Sequence, residues 1–143
     1  MPKHLPSRRS GFTLVELMVV AIIVAILASV AIPLMTGNKK RALGTEAEAT
    51  LGTLRTQLRV MYAETGSYIL KPNGDPLGVG SATNIPGVIA SDIQGRYWNW
   101  DSYTIDAIDA TTYRLKATGV STGDTAGLTI YMTSAGIITR EGL

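Results

Sequence analysis

Hydrophobic and polar positions follow three rhythms along this chain. Between Phe12 and Met35 the residues are apolar on every side, and from Leu17 to Met35 nineteen successive positions carry no charge. At ~1.5 Å rise per residue, a helix of that length nearly crosses the ~30 Å hydrocarbon core of a bilayer. From Leu43 the apolar positions thin to Leu43, Ala47, Leu51, Leu54, Leu58 and Met61. Those spacings of three and four residues mark one face of an amphipathic helix. Gly66 after Thr65 is a stop signal. One long helix is therefore predicted from about Thr13 to Thr65, apolar all round in its first half and striped in its second. It is expected to be interrupted near Pro33, by a kink or a local unwinding. Proline removes one helical hydrogen bond and clashes with the preceding turn, and Gly37 weakens the same region.

The third rhythm has period two. Residues 67–95 come first and are rich in turn signals, Pro72-Asn73-Gly74-Asp75-Pro76, Gly78, Gly80 and Pro86-Gly87. They read as a surface connection with a short helix near Val88–Ile93. Gly78-Val79-Gly80-Ser81 lacks the spacing and the preceding strand of a phosphate loop. From Ser102 onward apolar and polar residues alternate. Tyr103, Ile105 and Ala107 share one face, as do Tyr113, Leu115 and Ala117, and Leu128, Ile130 and Met132, with Ile137–Arg140 a short last strand. Asp109-Ala110, Gly123-Asp124 and Ala135-Gly136 supply the turns. This is an antiparallel meander of about four strands with one apolar face. Residues 67–143 are too few to bury a strong core alone. The Leu43–Met61 stripe is the missing layer, so the fold class is α+β, one long N-terminal helix packed on a C-terminal antiparallel sheet.

Charge and composition narrow the chemistry. The formal charge is +2, but Lys3, Arg8 and Arg9 precede the apolar run, and without them ten Lys and Arg face eleven Asp and Glu. No nucleic-acid face follows from that balance. The chain has no cysteine, which excludes disulfides, thiolate metal sites and cysteine nucleophiles, and its one histidine is His4. With no histidine beyond that segment and no convergent acid–base pair, no enzyme is expected.

The first eleven residues are short, basic and broken by Pro2 and Pro6, and positive charge before an apolar helix holds that end in the cytoplasm. Lys39, Lys40 and Arg41 lie on the opposite flank, so the charge rule alone leaves the orientation close to balanced. An ordinary export signal is one alternative, with small residues at Ser29 and Ala31 for cleavage. Against it stand the length of the run and the carboxylate of Glu16 in its first turns, which costs free energy in hydrocarbon.

Gly11-Phe12-Thr13-Leu14-Val15-Glu16 followed by an apolar helix resembles the leader and N-terminal helix of type IV pilins and type II secretion pseudopilins. The resemblance covers roughly residues 8–65, and beyond them lies in the architecture. It implies a pilin-like fold, removal of a leader (residues 1–11) by a prepilin peptidase between Gly11 and Phe12, and methylation of the new Phe12 amine. It implies a transmembrane and polymerisation helix over 12–35, an amphipathic continuation over 36–66 and a head over 67–143. Pro33 matches a family position at which the helix yields on assembly. The implied life cycle is a single-pass precursor in the bacterial inner membrane, then a homopolymeric filament outside the cell or in the periplasm, built by pilus or secretion machinery. A pilus subunit is the first reading, a secretion pseudopilin the second, and a membrane-anchored monomeric binding module a remote third.

Glu16 has a physical reading beside the resemblance. After cleavage the Phe12 amine of a neighbouring subunit is a partner for the carboxylate and sets axial register. The alternative is a side chain snorkelling to the interface. No cofactor is expected. Asp101, Asp106, Asp109 and Asp124 are the acidic residues of the strand region, and Asp109 and Asp124 are weak candidates for a calcium site that needs six to eight oxygens. Tyr97, Trp98 and Trp100 form an aromatic patch, read either as packing over the sheet end or as a contact surface. Strand pairing of Ile137–Arg140 is expected to close the cysteine-free C-terminal region.

Overall fold

The computed structural model describes residues 11–120 and 122–142, so the leader residues 1–10, including Lys3, His4, Arg8 and Arg9, lie outside the described residues. A single helix, α1 (Leu14–Thr65), is followed by a five-stranded antiparallel sheet, β1 (Gly80–Ser81), β2 (Tyr103–Ile108), β3 (Tyr113–Thr118), β4 (Thr129–Thr133) and β5 (Ile138–Glu141), in chain order across the sheet. The chain divides into two units, one up to Thr36 and one from Gly37 onward.

In the first unit the side chains have no cover, and none of the apolar window of α1 is buried. The local unwinding expected at Pro33 is not found, because α1 is helical through it. A proline leaves only the carbonyl four residues back without its amide donor, and the flanking turns keep their own bonds. The Thr36 hydroxyl donates to the Pro33 carbonyl at 2.9 Å, and the Ser29 hydroxyl to the Ile26 carbonyl at 2.7 Å.

In the second unit the stripe behaves as its spacing dictates. Leu43, Ala47, Leu51, Leu54, Leu58 and Met61 are all buried, against Tyr103, Ile105, Tyr113, Leu115, Ala117, Leu128, Ile130 and Met132 from the sheet. Leu115 pairs with Ile105 on one side and Met132 on the other, so the apolar face is continuous across three strands. The helix stops at Gly66, whose φ of 72° suits glycine and lets its amide reach the Tyr62 carbonyl at 2.7 Å.

Two expectations change. The register slips between Ile105 and Ala107, with Asp106 as the extra residue of a bulge. One inserted residue exchanges the faces beyond it, so Ala107 is exposed while Ile108 packs against the core. The connection after α1 is also more than a surface loop. Leu77, Ala82, Ile85, Val88 and Ile93 are buried, and the short helix expected near Val88–Ile93 is a single 3₁₀ turn at Ala90–Asp92. Because β1 is only two residues long, the core beside β2 would lie open without these side chains.

Tyr113 is buried at the far end of this core, edge-on to Tyr68 at 4.7 Å between ring centres, and its hydroxyl has no hydrogen-bond partner among the described residues. Burial, reinforced by Tyr68, pushes the Tyr113 phenol up to about 12. In the unfolded chain the group ionises near 10. Its contribution is therefore full below pH ~10 and is lost as pH rises through ~12. Tyr113→Phe is expected to remove that alkaline loss and to be neutral or stabilising at pH 7, since an unpaired buried hydroxyl costs ~1–3 kcal/mol. Denaturant unfolding across pH 8–12 checks both. Leu54→Ala is expected to cost ~2–5 kcal/mol in the same assay.

Candidate processing and assembly site

Gly11, Phe12 and Thr13 precede the first turn of α1, and Phe12 is 84% exposed. Thr13 caps the helix. Its hydroxyl accepts from the Glu16 amide at 3.2 Å, and the Glu16 carboxylate accepts from the Thr13 amide at 2.8 Å and from the Thr13 hydroxyl at 3.0 Å. This reciprocal pairing is a capping box, which satisfies two backbone donors at the helix start. Its signal is in the sequence as Thr13-Leu14-Val15-Glu16, although the motif reading above passed over it. In the single chain Glu16 Oε2 thus takes both Thr13 donors, one peptide from the Phe12 nitrogen. The junction Gly11–Phe12 and Glu16 lie together at one end of the helix, and Pro33 lies about five turns further on.

The helix face of the head carries polar contacts that periodicity alone does not reveal. The Trp98 indole donates from Nε1 to the Leu43 carbonyl at 2.9 Å, and Glu46 Oε1 accepts from the Tyr97 and Trp98 amides at 3.0 and 3.2 Å. A side chain at Gly95 would place its Cβ 1.9 Å from that carboxylate oxygen, so this approach needs glycine. Trp98 is fully buried, whereas Tyr97 and Trp100 stay 39% and 43% exposed. The aromatic patch is thus divided, with Trp98 packed into the core and the other two at the surface.

The C-terminal region is closed by strand pairing of β5 with β4 and by four side chains of α1. Glu48 takes the Arg140 guanidinium in a two-pronged pair, one contact being 2.8 Å from Nη2 to Oε2. Lys39 meets Asp124 at 2.7 Å, Lys40 donates to the Gly142 carbonyl at 2.9 Å, and Arg55 Nε donates to the Ser134 carbonyl at 3.2 Å. The Lys39 pair is open to solvent and contributes ~0–1 kcal/mol. The Glu48–Arg140 pair is better shielded, and its fork geometry is the stronger kind.

The acidic residues are not gathered. Asp106 meets Arg114 at 2.6 Å and Lys116 at 3.3 Å, and Asp124 is taken by Lys39. Asp109 folds back on its own turn, accepting from the Thr112 hydroxyl at 2.6 Å and the Thr111 and Thr112 amides at 2.7 Å. Among the described residues no three His, Cys, Asp or Glu stand close enough to share a metal.

Comparison with known proteins adds to this geometry. Residues 6–32 match the family model described as the prokaryotic N-terminal methylation motif. The chain is similar to the type IV major pilin protein PilE1 of Neisseria gonorrhoeae, 35% identical over 113 residues, covering 79% of this chain and 47% of that protein. It is similar to the type II secretion system core protein G of Dickeya chrysanthemi, 38% identical over 61 residues, 43% of this chain and 40% of that one. The fimbrial protein EcpC of Eikenella corrodens is 30% identical over 118 residues, 80% of this chain and 68% of its own. The chain thus spans about half the length of the first two of these relatives.

Hydrogen bonds from Thr112 and Thr111 hold the Asp109 carboxyl well below the usual carboxylate range. A depressed folded-state value means that its stabilisation is present above pH ~4 and is lost as pH falls further. Asp109→Asn is expected to flatten the acid limb of the unfolding midpoint below pH ~4 while lowering the midpoint at pH 7, as measured by denaturant titration at each pH.

Proposed function

The chain belongs to the family of type IV pilins and type II secretion pseudopilins, and on that premise we propose that it is a structural subunit which polymerises into a helical filament. The observation that carries this reading is the uncovered apolar half of α1, with Glu16 as the one charge between Phe12 and Met35. Such a surface needs a non-aqueous neighbour. Lipid supplies it while the chain is a single-pass precursor in the inner membrane, and the same segments of other subunits supply it in the filament, at roughly 25 cal/mol per Å² of apolar area. The Gly11–Phe12 bond is the cut of the prepilin peptidase, and the Phe12 amine is then methylated. A neighbour's Phe12 amine draws Glu16 out of its Thr13 cap and sets the stagger between subunits. Pro33, already short of one backbone bond, is where α1 yields.

The filament is a pilus in the first reading. The PilE1 and EcpC matches cover 79% and 80% of this chain, well into the head, whereas core protein G matches cover 43% and 55%. A periplasmic secretion pseudopilus is the second reading. No catalytic role is assigned, and the head is proposed to work without metal because Asp109 and Asp124 are committed to Thr111, Thr112 and Lys39.

Intact-mass measurement of the mature protein is expected to give a chain starting at Phe12 with one added methyl group. A start at Ile32 would mean an ordinary export signal and would overturn the proposal. Glu16→Ala is expected to insert in the membrane as the parent does and to be lost from sheared filament fractions by tenfold or more, corresponding to ~1.4 kcal/mol or more of assembly free energy. Normal incorporation would remove the register role.

A further inference from the structure

We infer that, before assembly, one end of the head lies on the membrane surface, held by the exposed aromatics Tyr97 and Trp100 and by cations that face anionic phospholipid headgroups. This rests on the reading of Phe12–Met35 as a membrane span. The end in question is defined within the head itself. Three segments converge on the first turns of its helix: residues 95–98 through Leu43 and Glu46, the loop of Asp124 through Lys39, and the C-terminal segment through the Lys40 bond to Gly142. Arg55, Ser134 and Tyr113 belong to the opposite end.

Chain connectivity brings this end to the bilayer whatever the pose of the head. Four residues lead from Met35 to Lys39, at most ~14 Å of fully extended chain, and the headgroup layer is itself ~5–8 Å deep on each side of the hydrocarbon. The side chains suit that layer. Tryptophan and tyrosine are the residues enriched at membrane interfaces, where the ring is apolar and the tip polar. Trp100 and Tyr97 flank the anchored Trp98, so the loop that carries them is fixed from below. The Arg96 guanidinium sits 5.4 Å from the centre of the Tyr97 ring, which keeps a cation on the same patch. Lys39, Lys40 and Arg41 add three more. The acids of this end are Glu46, Asp101, Asp124 and Glu141; Glu46 is turned inward onto the Tyr97 and Trp98 amides, and Asp124 is paired with Lys39. With Glu46 turned inward and Lys39 paired to Asp124, the outward-facing cations Lys40, Arg41 and Arg96 outnumber Asp101 and Glu141, and basic side chains beside an anionic surface are drawn to it.

The chain has two tryptophans, and Trp98 is buried, so Trp100 reports on the surface. The full chain is reconstituted in vesicles of phosphatidylcholine with phosphatidylglycerol, and in phosphatidylcholine alone. Flotation, quenching by lipids brominated near the headgroup, and quenching by aqueous acrylamide are then read, with Trp100→Phe giving the Trp98 background. The expected result is a roughly twofold loss of the Trp100 emission to brominated lipid, with acrylamide access reduced to match, in the anionic vesicles. Floating protein whose Trp100 is as open to acrylamide as free tryptophan overturns this inference alone. Shielding that vanishes when the protein is diluted in lipid overturns it in favour of a second copy, and equal shielding in phosphatidylcholine alone overturns the anionic headgroup as partner. Protein that does not float overturns the membrane-span reading and this inference with it.

Discussion

Apolar surface that no part of the same chain covers is the constraint on which the rest of this molecule depends. From Phe12 to Met35 every large hydrophobic side chain of α1 is open, and water is not a stable solvent for such a surface. Everything beyond Gly37 solves the opposite problem. There the helix keeps a single apolar stripe and buries it completely under the sheet. One helix therefore presents two faces to two kinds of neighbour. The switch comes where the sequence places Pro33, Gly37 and then Lys39, Lys40 and Arg41.

Glu16 sits inside the uncovered half and is its only charge. Its capping box with Thr13 gives the carboxylate two backbone and hydroxyl donors within its own turn. That lowers the cost of holding an acid at the start of an apolar helix, since an ionised group is tolerated in a poor solvent only when hydrogen-bonded. Both Thr13 donors are taken by Oε2.

The head reaches a closed structure without cysteine. Four side chains of one helix, Lys39, Lys40, Glu48 and Arg55, reach the turn before β4, the C-terminal end of β5 and the turn between those two strands. Glu46 holds the loop that delivers Trp98. Each contact is modest alone, and most are partly exposed. Together they fix segments that lie 51 to 102 residues from their partners in the chain.

Much of this was legible in the residues. The helix limits, the buried stripe and the four main strands follow from periodicity, because burial on one side leaves a repeat of 3.6 or 2.0 residues. Gly11, Phe12 and Glu16 stand in a short motif within the residues that match the N-terminal methylation model. Other features leave no local trace. The bulge at Asp106 reverses two side chains through a single unpaired residue. The loop residues Leu77, Ile85 and Val88 are buried only because β1 is too short to cover the core beside β2. Trp98 and Trp100 are the same residue type two positions apart, yet one is buried and the other open, decided by whether Leu43 offers a carbonyl across space. The sequence by itself determined which elements form and which helix half is apolar, since those depend on neighbours along the chain. Only the tertiary structure decided which polar side chains of α1 hold the head closed, because those partners meet through packing and not through sequence spacing.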